Sequence, residues 1–145
     1  MASPEKVGGL IRAVHKIRPD LVVIPTVFRP RPVGKVEGMR VGYVSTAPPA
    51  VLDTLSGHLE EHYGCEVVAS SGNLSDRKRL AEDLRGMSGV EAYLTEIKAA
   101  AVDVVTRRGS AEEKPVFYCD NDPVGENLDQ ALLRLAQQAV ANKMP

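Results

Sequence analysis

The sequence predicts an α/β fold: a three-layer Rossmann-like domain with a mostly parallel sheet of four to five strands. Two observations lead there. Short apolar runs alternate with amphipathic helical patterns, the alternation that crossover helices and parallel strands require. The runs are also near-continuous in apolar residues, as strands buried on both faces tend to be.

The first element is a helix. Ser3 is a good N-cap, Pro4 suits the first helical position, and Glu5 sits in the first turn. Val7, Leu10, Ile11 and Val14 follow at helical spacing, and Arg18-Pro19-Asp20 ends the pattern. Leu21 to Phe28, "LVVIPTVF", reads as a buried strand. Arg29-Pro30-Arg31-Pro32-Val33-Gly34 then reads as a linker or extended arm. The expected organisation is residues 1–34 as an N-terminal helix, strand and Pro-rich arm, and residues 35–145 as the Rossmann-like domain.

The second strand runs from Arg40 to Ser45. A helix follows Thr46-Ala47-Pro48-Pro49, with Val51, Leu52, Leu55 and Leu59 on one face and Gly64 as its stop. Glu66 to Ser70 is a strand, and residues 71–76 form a turn and N-cap. Leu80, Ala81, Leu84 and Met87 mark the next helix. Val90 to Leu94 is a strand that runs directly into a helix beginning near Ile97-Lys98, with Gly109 as its C-cap. Lys114 to Cys119 is the last strand, residues 120–125 a long turn, and Asn127 caps a final helix carrying Leu128, Ala131, Leu132, Leu135, Ala136 and Ala139.

Composition excludes several classes of function. The chain has 145 residues, 43% hydrophobic and 26% charged, which suits one folded domain. A formal net charge of −1 gives no global field for nucleic acid or an anionic membrane. No apolar run is long enough to span a bilayer, and Met1 to Lys6 is too polar for a signal peptide, so a cytoplasmic location is the default. Cys65 and Cys119 form neither a disulfide framework nor a metal-spaced pair. There is no Gly-x4-Gly-Lys-Ser/Thr loop and no Gly-x-Gly-x-x-Gly after a strand. His58-Leu59-Glu60-Glu61-His62 matches a zinc-peptidase pattern, but no third ligand accompanies it.

In an open α/β sheet, ligands bind at the carboxyl ends of the strands. The strand exits here are Ser45-Thr46, residues 70–73, Thr95-Glu96 and Asp120-Asn121, and all are polar. Polar residues also serve turns and caps, so polarity alone does not decide between a site and simple capping. Two expected helices begin with cations: Arg77-Lys78-Arg79 and Ile97-Lys98. The helix dipole disfavours cations there unless an anion such as phosphate sits in front of them. The alternative is a solvated basic face. Asp103 and Arg107, four apart, are expected to pair.

The segments "RVGYVSTAPPAVLDTLSGHLEEHYGCEVVASSGNLSDRKRLAEDL", "YLTEIKAAAVDVVTRR" and "VFYCDNDPV" together resemble the C-terminal part of archaeal cyclic 2,3-diphosphoglycerate synthetase. The resemblance covers roughly residues 20 to 135. It implies a phosphorylated small-molecule ligand and ATP-dependent ligase chemistry with Mg²⁺, carried out with a nucleotide-binding domain upstream. On that view Lys98, Arg77 and Lys78 would neutralise phosphate oxygens, and Asn73, Thr46 and Thr95 would donate hydrogen bonds. Glu96, Asp103 or Asp120 would hold Mg²⁺, and Lys98, Glu96 and Asp103 would be the catalytic candidates. The expected partner is a second copy of the chain or an ATP-binding domain. The alternative is a non-catalytic phosphometabolite-binding or dimerisation module.

Overall fold

A computed structural model describes residues 3–97 and 100–141. The chain forms two units. One comprises Met1–Phe28 with Pro123–Pro145, the other Arg29–Asp122. This division differs from the expected boundary after residue 34: the Pro-rich arm belongs to a strand, and the final helix falls in the first unit.

The larger unit is a five-stranded sheet in the order β1-β5-β4-β2-β3. Its strands are β1 (Val27–Pro32), β2 (Arg40–Val44), β3 (Glu66–Ser71), β4 (Ala92–Glu96) and β5 (Val116–Val124). The pairs β2–β3, β2–β4 and β4–β5 are parallel, with Val41 opposite Ala92, Val44 opposite Thr95 and Glu96 opposite Cys119. Strand β1 runs counter to β5. Val33 N–H donates to Tyr118 O at 2.9 Å, while Arg31 reaches Asp122, further along β5.

Helices cover both faces. Helix α2 (Pro49–Tyr63) packs Leu52 and Leu59 against Val41, Tyr43, Leu94 and Cys119. On the other face, α3 (Arg77–Gly86) and α4 (Val102–Ala111) pack Leu80, Leu84 and Val105 against Val44 and Tyr93. This is the three-layer arrangement that the alternating pattern predicts. Gly64 ends α2 with φ 67°, the left-handed conformation that favours glycine.

Besides residues 120–124, which are expected as a turn but continue β5 (Val116–Val124), three expectations need correcting. First, residues 21–26 form no strand; β1 begins at Val27 and uses the Arg-Pro-Arg-Pro segment. The prolines are tolerated because β1 is the sheet edge and alternate N–H groups point outward. Val33 N–H faces β5, so the positions of Pro30 and Pro32, which lack N–H, face away from it. Second, α4 starts at Val102, not at Ile97, with no side-chain cap. Third, Gly109 lies inside α4 and is buried. A Cβ there would sit 2.4 Å from Val116 Cγ2, so glycine lets α4 approach β5; the C-cap is Glu112.

In the smaller unit, α1 (Pro4–Ile17) starts as expected: the Ser3 hydroxyl accepts from Lys6 N–H at 3.3 Å. Helix α5 (Leu128–Ala141) ends the described chain, and neither helix buries a residue. Among the described residues, no helix is long and apolar enough to cross a membrane.

Candidate functional site

Strand order locates the site. From β2 the chain crosses to β3 on one side, then returns to place β4 on the other side of β2. The crossover helices lie on opposite faces, α2 on one and α3 on the other. The crevice between the carboxyl ends of β2 and β4 is therefore the topological switch point, where open α/β sheets bind ligands.

Glu96 ends β4 at that crevice. Its carboxylate accepts from Ser45 Oγ at 2.9 Å, Thr46 N–H at 3.1 Å, Thr46 Oγ1 at 2.9 Å and Asn121 Nδ2 at 3.4 Å. One carboxylate thus ties the ends of β2 and β4 to Asn121 within β5. The Ser45 hydroxyl also accepts from Ala47 N–H at 2.9 Å, which fixes the turn into α2. That helix begins at Pro49 behind Pro48, with no side-chain cap and no acidic residue in its first turn. Its partial positive charge is therefore met by no carboxylate from its own first turn.

Beneath this row the side chains are buried. Tyr43 lies two residues before Ser45, on the same face of β2, and is fully buried with its hydroxyl unpartnered. Burial pushes the Tyr43 hydroxyl pKa upward, with the nearby Ser45 hydroxyl opposing. Cys119 is buried as well. Burial, then the charge of Glu96, push its thiol up to about 12.

The other candidates sit elsewhere. At the end of β3, Asn73 Nδ2 and Ser71 Oγ both donate to Asp83 Oδ2, at 2.8 and 2.5 Å, beside a hollow of about 530 Å³. Arg77 makes a two-pronged pair with Asp103 at 2.9 and 2.7 Å and also donates to Ala100 O, so it links α3 to the start of α4. Arg107 also pairs with Asp103, as its spacing predicts. The Asp76 side chain accepts from Lys78 N–H and Arg79 N–H, so α3 already holds an anion at its N-terminus. The Lys78 side chain is exposed. Thr95 is buried on the opposite sheet face from Glu96. Asp120 faces Arg31 at 3.6 Å. Lys98 lies outside the described residues.

The structure joins Thr46 and Glu96 by hydrogen bonds; the side chains of Asn73, Arg77 and Asp103 bond elsewhere, although the loop carrying Asn73 abuts the same turn, with Leu74 N–H donating to Ser45 O at 3.1 Å. Ser45 and Asn121 stand at exits that the sequence marks as polar without giving them roles. Tyr43 is legible only as a core residue. No group of three or more His, Cys, Asp or Glu that could hold a metal occurs among the described residues, and His58 and His62 stack with ring centroids 4.2 Å apart.

Comparison with known proteins adds an independent finding. The family described as cyclic 2,3-diphosphoglycerate synthetase C-terminal domain matches residues 32–122. The chain is 73% identical over 139 residues to the cyclic 2,3-diphosphoglycerate synthetase of Rubrobacter xylanophilus, covering 96% of this chain and 31% of that protein. It is 45% identical over 146 residues to the synthetase of Thermococcus gammatolerans, covering 99% of this chain and 33% of that protein. For the synthetase of Methanothermus fervidus the identity is 42% over 146 residues, covering 97% and 32%. The chain thus spans about a third of the length of the curated relatives it matches.

Proposed function

This chain belongs to the cyclic 2,3-diphosphoglycerate synthetase family through its C-terminal domain, and on that premise we propose that it binds a phosphorylated substrate or nucleotide at the β2–β4 switch point. The observation that carries the proposal is the Glu96 carboxylate bridging Ser45 and Thr46 at the one place in this sheet where the strand order reverses.

Glu96 is the organiser of the site. By holding the Thr46 hydroxyl and backbone it fixes the turn that carries the uncapped N-terminus of α2. That helix end supplies partial positive charge toward phosphate oxygens. Lys98, two residues beyond Glu96 in sequence, supplies the full positive charge. Asn121 adds a carboxamide from β5. Arg77 acts one step away, tying α3 to Ala100 and Asp103 at the start of α4. Phosphoryl chemistry needs mainly positioning and charge neutralisation, so a site without a nucleophile is adequate.

Among the described residues, the carboxylates considered for Mg²⁺, Glu96, Asp103 and Asp120, do not fit that ion. Glu96 already accepts four donors, Asp103 is paired with two arginines, and Asp120 faces Arg31. ATP and Mg²⁺ then belong to the remaining two thirds of the family protein, and any closure of a phosphoric anhydride to the whole enzyme.

The test is thermal unfolding of the chain with 2,3-bisphosphoglycerate, ATP or ADP, each with and without Mg²⁺. A ligand at 100 times its dissociation constant stabilises by about 2.7 kcal/mol. The proposal expects a shift with a phosphoester that is absent in Lys98→Ala. A shift unchanged in Lys98→Ala and in Thr46→Val would rule out this site.

A further inference from the structure

We propose that residues 21–26 are a β-strand without its sheet, and that with the apolar faces of α1 and α5 they dock on the two thirds of the family polypeptide that lie outside this chain. The sequence of this segment is strand-like: Leu21, Val22, Val23 and Ile24 are consecutive apolar residues, two of them valines and one isoleucine. The structure gives it no strand partner. Val22 is 80% exposed. The backbone N–H groups of Val22, Val23 and Ile24 make no hydrogen bond among the described residues. Burying them without partners would be unfavourable, so whatever covers these side chains must also accept from the backbone. The edge of another sheet does both.

The flanking elements point the same way. Helix α1 exposes Leu10 and Ile17, the latter 81% exposed, and α5 exposes Leu132, Leu135 and Val140. A hollow of about 540 Å³ separates Val22–Pro25 from the start of α5. An unpaired strand and two apolar helix faces together are an aggregation hazard if left in water.

The occupant follows from the family. With 139 of 145 residues aligned to the Rubrobacter xylanophilus relative, the segment and most of both helices fall inside the match. That match is only 31% of the relative's length, so such a surface always comes with a much larger partner on the same polypeptide, at fixed one-to-one ratio. A second copy of this chain is the competing occupant. The inference rests on family membership and not on the ligand reading, since it concerns the smaller unit and not the switch point.

The experiment is amide hydrogen exchange at Val22, Val23 and Ile24. It is read in the isolated chain, in the chain mixed with the rest of the Rubrobacter xylanophilus relative as a separate polypeptide, and at the matching positions of the intact relative. The expected result is fast exchange in the isolated chain, and exchange slowed by at least ~100-fold in the mixture and in the intact relative. Val22→Asp and Leu135→Asp should each weaken the complex while leaving the spectrum of Arg29–Asp122 unchanged. Fast exchange at these positions in the intact relative overturns the proposal, whether or not the two-piece complex forms. So does a concentration-dependent dimer of the chain alone that protects the same amides. Loss of phosphoester binding with docking intact would count against the ligand reading alone.

Discussion

The Glu96 carboxylate accepts from both the backbone N–H and the hydroxyl of Thr46, at 3.1 and 2.9 Å, across 50 residues of sequence. This contact joins the ends of the two central strands. Glu96→Gln replaces one acceptor oxygen by a donor that faces Ser45 or Thr46. Leaving a partly buried donor unpaired costs about 1–3 kcal/mol. Urea unfolding of Glu96→Gln should show a loss in that range. Stability equal to the parent would mean that the bridge contributes nothing.

Asp103 gives a prediction in pH. The Arg77 and Arg107 guanidiniums hold its carboxyl at about 2, below the usual 3.8. A depressed folded-state value stabilises above the unfolded value and is lost as pH falls from about 4 through about 2. The parent should therefore lose stability across that window, and Asp103→Asn should lose less. Arg77→Ala combined with Asp103→Asn should cost less than the sum of the single changes, because they remove one shared pair. Additive costs would contradict the pairing.

Tyr43 offers an opposite sign. Its buried hydroxyl has no partner, so Tyr43→Phe removes a polar group whose burial is not offset by a hydrogen bond. Unfolding should show unchanged or higher stability. A loss of more than about 1 kcal/mol would mean that the hydroxyl is bonded in solution, with Ser45 the nearest group for it.

Two glycines should respond in contrary ways to alanine. Gly109→Ala places a Cβ 2.4 Å from Val116 Cγ2 and 3.0 Å from Lys114 O, and overpacking of that kind typically costs about 1–3 kcal/mol. Gly57, inside α2, has nothing within 4 Å of such a Cβ, so Gly57→Ala should stabilise by up to about 1 kcal/mol through helix propensity. Thermal scans of the two variants should move in opposite directions.

Burial also raises the Cys65 thiol above its ordinary value and puts Cys119 near 12. Because the thiolate is the reactive form, neither should be alkylated by iodoacetamide at pH 8 in the folded chain. Both should react in denaturant. Fast labelling of Cys119 in the native state would mean that the floor of the crevice opens.

The layers and helices were legible because apolar spacing reports burial directly: Leu52 and Leu59, then Leu80 and Leu84, lie where their periodicity puts them. Two segments misled. Leu21–Ile24 has strand chemistry but no sheet to join, and Arg29–Pro32 has loop chemistry but lies at an edge that tolerates proline. Of the site, Thr46 and Glu96 were visible as strand exits. The role of Glu96 as an acceptor for four donors was not, because it depends on strands β2 and β4 being neighbours, which no local pattern encodes. Arg77 read as a free cation because its partner, Asp103, is 26 residues away.

A phosphorylated ligand is proposed at the β2–β4 crevice. Its most direct test is a titration of the isotope-labelled chain with 2,3-bisphosphoglycerate, followed at backbone amides by NMR. Saturable shifts centred on Thr46, Ala47 and Asn121 are expected, and they should be lost in Lys98→Ala. Shifts centred instead on Lys78 and Arg79 at the start of α3, with Thr46 and Asn121 unmoved, would contradict it.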